Sequence, residues 1–124
     1  MAETITSYKN RCDVLFSKII RARDKKCMRC GRSEGVQLQC SHCASRGSLD
    51  GRFDELNALT LCASCHRWWH NYPTKSAKWL EGEYPQVYER SLEVKQKIGG
   101  MKLWQYKELH TKLKARLKQL NESL

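Results

Sequence analysis

Cys40-Ser41-His42-Cys43 opens the stretch that decides the reading of this chain, CSHCASRGSLDGRFDELNALTLCASCHRWWH, which runs to His70. Three of the four histidines and four of the seven cysteines among 124 residues fall inside it, together with Asn57. Imidazole and thiolate are the side chains that hold transition-series divalent ions, so metal chemistry is the first expectation. The flanking sequence reads as support for this stretch.

Just upstream stands Cys27-Met28-Arg29-Cys30-Gly31-Arg32, a zinc-knuckle pattern. Its two thiolates, three positions apart, face one ion, and the following glycine lets the turn close. Such a half-site needs a second pair, and Cys62-Ala63-Ser64-Cys65 supplies it at the start of a short predicted helix. Cys27, Cys30, Cys62 and Cys65 then form a closed four-thiolate site with no open position, so the expected cofactor is a structural Zn2+. A competing arrangement pairs Cys40 and Cys43 with Cys62 and Cys65, leaving Cys27 and Cys30 as free thiols. The first pairing is preferred because strand alternation would send Cys40 and Cys43 to opposite faces.

Gly35 to Cys40 alternates apolar and polar residues and predicts a strand. Ala44 to Glu55 predicts a loop, Asn57 to Leu61 a second strand, and Cys65 to Asn71 a short helix stopped by Pro73. Upstream, Tyr8, Cys12, Leu15 and Ile19 step by four, three and four, which predicts one apolar face of a helix over Glu3 to Asp24. Cys12 reads as a small buried hydrophobe on that stripe. Downstream, Pro85 opens a predicted helix carrying Val87, Tyr88, Leu92, Val94 and Ile98. Gly99-Gly100 breaks it, and Leu103 to Asn121 predicts another, with Tyr106, Leu109, Leu113, Leu117 and Leu120 on one face and mostly lysine on the other. His110 is assigned no function.

The expected fold is therefore α+β: one domain over residues 1–124, comprising an N-terminal helix (1–26), a zinc-stapled core (27–72) and a helical extension (73–124). A chain of 14.5 kDa has room for only a modest core, which makes a metal staple useful. Lysine and arginine outnumber aspartate and glutamate 23 to 13, for a net charge of +10, so a polyanion is the expected partner. Mean hydropathy of -0.70 and the lack of a long apolar run exclude a helical membrane span, and MAETITSYKN has no apolar signal-peptide core. The expectation is a cytoplasmic protein with paired CxxC motifs that hold zinc rather than disulfides.

His42, Asn57 and His66, with His70 as a fourth position, are separated by fifteen, nine and four residues. They resemble the HNH signature of the ββα-metal nucleases, with the stepping of colicin-type DNase domains. The flanking cysteine pairs resemble the four-cysteine HNH subgroup. The order DVLFSKIIRARD, CMRCG, CSHCASRG, GRFDELN, LCASCHRWWH is similar to phage NinG/Rap-like recombination nucleases and related phage HNH proteins, over about residues 13–72. The resemblance implies a ββα-metal core and a DNA endonuclease, host-cytoplasmic if phage-encoded, whose products carry 5'-phosphate and 3'-hydroxyl ends.

The residues suit those roles. His66 and His70, at i and i+4, share a helix face and can ligate one divalent ion, whether Mg2+, Mn2+, Ni2+ or Zn2+. His42, with an ordinary pKa near 6.5, is the expected general base. Asn57, whose amide both donates and accepts, is expected to hold the His42 loop across the hairpin. The residue before the base is commonly an Asp or His ligand in such nucleases and here is Ser41. Either the ion rests on His66, His70, phosphate and water, or Asp50 or Asp54 joins it. Arg46, Arg52 and Arg67 are expected phosphate contacts. Trp68 and Trp69 are expected to pack the short helix against the C-terminal helices, base stacking being the alternative. One site per chain makes double-strand cleavage a matter of two visits or two protomers, which allows a homodimer and leaves room for other phage DNA-processing partners. The rival expectation is a zinc-containing nucleic-acid-binding module without hydrolysis.

Overall fold

The computed structural model describes residues 3–44, 49–94 and 100–122, with the side chains of residues 49 and 50 outside that description. Helix α1 (Ile5–Asp24) begins where Thr4 Oγ1 accepts the Ser7 N–H at 3.0 Å and ends where Lys25 turns left-handed (φ 64°). Its fully buried residues are Cys12, Phe16, Ile19 and Ile20, so the buried stripe lies one position over from the predicted one. Tyr8 and Leu15 flank it, partly buried.

Strands β1 (Leu38–His42) and β2 (Ala58–Cys62) form an antiparallel pair in which Leu38 faces Cys62, Cys40 faces Thr60 and His42 faces Ala58. They begin and end later than the alternation predicted. The connection is not plain loop: it holds the one-turn helix α2 (Leu49–Arg52) and a 3-10 turn over Glu55–Asn57, capped by Asp54. Cys40 and Ala58 pack into the core beneath α1, and Thr60 Oγ1 donates to the Ile20 carbonyl at 3.1 Å. By alternation Gln39, Ser41, Leu59 and Leu61 look the other way, toward α3 (Ala63–Asn71). Every residue of β2 is buried because helices cover both faces.

The end of α1 also seals the outer edge of β2. Asp24 Oδ2 accepts the Thr60 N–H at 2.9 Å, Arg23 donates to the carbonyls of Glu55 (2.6 Å) and Ala58 (2.8 Å), and the Met28 N–H bonds the Thr60 carbonyl. Two side chains and one backbone N–H thereby satisfy groups that an open strand edge would leave bare.

Pro73 does end α3, but it also starts a helix absent from the sequence reading, α4 (Pro73–Glu83), since proline at a first helical position loses no needed donor. Helix α5 (Pro85–Glu93) follows; Ile98 and Gly99 lie outside the described residues. Helix α6 (Leu103–Glu122) lies against α1, burying Tyr106 and Leu113, and the Cys12 thiol donates to the Tyr106 carbonyl at 3.7 Å. Trp68 and Trp69 both meet Trp79 of α4 edge-on, at 6.0 and 6.4 Å between ring centres, so they pack α3 onto the next helix. No helix among the described residues is long and apolar enough to cross a membrane.

Candidate active site and metal centre

Cys27, Cys30, Cys62 and Cys65 come together with all four sulfurs within 4.8 Å of one another. A tetrahedral Zn–S bond of about 2.3 Å implies sulfur–sulfur edges of about 3.8 Å, and Cys30 Sγ to Cys62 Sγ is 3.8 Å. The donor set and its spacing therefore suit zinc. The knuckle is built as expected: Cys30 N–H points at Cys27 Sγ (3.5 Å), Gly31 N–H bonds the Cys27 carbonyl (2.9 Å), and Gly31 takes φ 79°, which favours glycine. Burial opposes ionisation at Cys62, but the Cys65 backbone N–H and the Ser64 hydroxyl outweigh it and bring that thiol down to about 6. Cys65, penalised by burial and by its thiol neighbours, is pushed up to about 12. Arg29, between the first two cysteines, sets Nη1 3.4 Å from Cys65 Sγ and its guanidinium carbon 3.6 Å from the Trp68 ring centre. It adds positive charge beside a thiolate cluster.

Cys40 and Cys43 stand apart from this cluster. Cys40 packs on the α1 core, and burial pushes the Cys43 thiol up to about 12. The competing cysteine pairing has no support among the described residues.

On α3, His66 and His70 turn their Nε2 atoms toward each other at 3.2 Å. Two nitrogens each about 2.0–2.1 Å from one ion stand roughly this far apart. His66 Nδ1 lies 2.7 Å from Gln39 Oε1, an oxygen that can only accept, so Nδ1 carries the proton and Nε2 its lone pair. Burial, then the charges of His70 and His42, hold the His66 pKa below the usual histidine value, which keeps it neutral and able to ligate.

His42 sits at the end of β1. Its ring stacks on Phe16 of α1 at 5.4 Å, and Nε2 lies 2.8 Å from the Arg52 carbonyl. A carbonyl accepts only, so in neutral His42 the proton is on Nε2 and Nδ1 is the basic nitrogen. His42 faces α1 and His66 lies over the opposite face of the hairpin, and the His42 charge is the smallest of the three influences that lower the His66 pKa.

Asn57 is fully buried. Its Oδ1 accepts the Ala44 N–H at 2.8 Å, and Nδ2 donates to the carbonyls of Gly51 (3.0 Å) and Ala44 (3.3 Å). With the Cys43 N–H on its own carbonyl at 2.8 Å, it ties the segment after His42 to the start of β2.

Ser41 is buried (1 % exposed), and its Oγ has no hydrogen-bond partner among the described residues. Asp54 is committed elsewhere, capping Leu56 N–H and pairing with Arg90 of α5. Arg52 departs from its expected role: its guanidinium is gripped by Asp13 at 2.6 and 2.9 Å and is largely buried, rather than offered to phosphate. Arg67 is exposed on α3. Arg46 and the side chain of Asp50 lie outside the described residues. Gln39, Arg29 and Asp13 went unremarked in the sequence. Only Gln39 had a local signal, standing two residues before Ser41 on the same strand face.

A two-strand hairpin followed by a helix, with a four-cysteine cluster beside its open end, His42 at its connected end and two histidines on the helix, defines a small α+β domain with a zinc-type staple. The chain matches the family model described as the bacteriophage lambda NinG protein over residues 2–123, and it belongs to that family. No curated protein and no solved structure matches it.

Proposed function

We propose that this chain is a metal-dependent endonuclease of the HNH type that hydrolyses DNA phosphodiesters, stapled by zinc on Cys27, Cys30, Cys62 and Cys65. The observation that carries the reading is the facing pair of Nε2 atoms on His66 and His70. Gln39 anchors the far side of that pair, and on the other face of the hairpin the Arg52 carbonyl sets the tautomer of His42. His42 Nδ1 takes a proton from water, which attacks phosphorus. The bond to the 3' oxygen breaks and that oxygen takes a proton from solvent water, giving 5'-phosphate and 3'-hydroxyl ends, while His42 returns its proton to solvent. A divalent ion on His66 and His70 would neutralise charge on the scissile phosphate and the leaving oxygen. Asn57 holds the His42 segment, and Arg67 and the net charge of +10 favour a polyanionic substrate.

One observation favours the rival reading, a zinc-containing nucleic-acid-binding module without hydrolysis. Ser41 offers a neutral hydroxyl where a charged ligand would tighten the ion. The test is supercoiled plasmid with Mg2+, Mn2+ or Ni2+. Metal-dependent nicking supports the enzyme, whereas a gel shift with the plasmid left intact supports the binding module.

A further inference from the structure

Asp13 stands on α1, far in sequence from the histidine segment, yet it ends one hydrogen bond and one ion pair away from His42. Its two carboxylate oxygens take Arg52 Nε at 2.9 Å and Nη2 at 2.6 Å, and the two side chains are only 19 % and 13 % exposed. The carbonyl of the same Arg52 receives the His42 Nε2–H at 2.8 Å. Phe16, one turn further along α1, stacks on the His42 ring, and Asp13, Ser17, Cys40 and His42 line one small cavity of about 140 Å³.

The carbonyl needs such a tether. It belongs to the last residue of α2, a four-residue helix, and one helical turn has almost no stability of its own. A bidentate guanidinium–carboxylate pair fixes both distance and angle, as a single hydrogen bond does not. Burial shields the pair from competing water and salt.

We infer that Asp13 is a positioning residue for His42: through its grip on Arg52 it holds the carbonyl that keeps the His42 proton on Nε2 and Nδ1 basic. This rests on the proposed endonuclease reading for its consequence, but not for its geometry. Two readouts separate them. In 15N-histidine-labelled, zinc-loaded protein, His42 should show a single Nε2–H tautomer. Asp13→Ala, and Asp13→Asn as the near-isosteric variant that loses the charge and one of the two acceptor oxygens, should turn that signal into a tautomer mixture with zinc content unchanged. Cleavage by either variant should fall about 10- to 100-fold in kcat, the scale expected when a reacting group is misplaced, with KM within about twofold. Arg52→Lys, which keeps the charge but not the fork, should behave alike.

A folded Asp13→Ala or Asp13→Asn protein whose His42 keeps the single tautomer overturns the inference. So does loss of folding in both, since Asp13 would then be a structural residue. If the wild-type protein does not cleave DNA, the proposed reaction fails, while the tautomer signal still decides what Asp13 does.

Discussion

Replacing Asn57 tests how the histidine segment is held. Asn57→Ala deletes one acceptor and one donor group from a fully buried position, orphaning the Ala44 N–H and the Gly51 carbonyl. A buried group left without its partner costs about 1–3 kcal/mol, so the two together come to about 3 kcal/mol once partial relaxation is allowed. At about 3–5 °C per kcal/mol for a domain of this size, Tm should drop by roughly 10–15 °C. Asn57→Asp makes a sharper contrast. It keeps the acceptor for Ala44 N–H but turns an oxygen toward two carbonyls, which favours the protonated acid and raises its folded pKa above the ordinary value of about 3.9. The folded state then binds more protons than the unfolded one, so the Asp variant loses stability relative to wild type as pH rises through that folded pKa. Thermal melts by circular dichroism at pH 5 and pH 8, with zinc content measured alongside, read both effects. An Asn57→Ala protein melting within about 2 °C of wild type would refute the reasoning, because the three hydrogen bonds would then contribute nothing net.

Cys27→Ser should lose its zinc and unfold under native conditions, since binding energy on the order of 10 kcal/mol is also folding energy in such sites; a folded, zinc-free protein by circular dichroism and atomic absorption contradicts this. Gly51→Ala should destabilise by about 1–3 kcal/mol in urea melts, because a Cβ there would come within 2.6 Å of Asn57 Nδ2 and 2.7 Å of Val94 Cγ1. His66 is held below its ordinary pKa of 6.5 by burial and by its histidine neighbours, so the unfolded chain takes up that proton first. Stability measured without added divalent ion should therefore fall as pH drops below about 6.5, and His66→Asn should flatten that part of the profile.

The local signals in this chain were strong where side-chain chemistry repeats at short range. The two CxxC pairs, the i and i+4 histidines and the hairpin around Asn57 were legible because spacing alone constrains what such residues can share. Boundaries drifted where tertiary contacts decide them: β2 extends to Cys62 because the cluster draws it on, and the buried face of α1 rotates to present Phe16 and Ile20. Helix α4 was missed because Pro73 reads equally as a stop and as a start. The role of Arg52 was misread for a different reason. A loop arginine in a basic chain suggests phosphate, and nothing nearby in sequence announces Asp13, which only the packing of α1 brings to it. Gln39 was overlooked because a polar residue on a strand usually marks the solvent side, and here that side is covered by α3.

The most direct test of the account is His42→Ala in the plasmid assay with a divalent ion, with zinc content and DNA affinity measured on the same preparation. Cleavage should fall by about 10²–10⁴-fold, the contribution of a positioned general base, with zinc and binding unchanged. Cleavage at the wild-type rate by the folded variant would contradict the role given to this imidazole and, with it, the proposed mechanism.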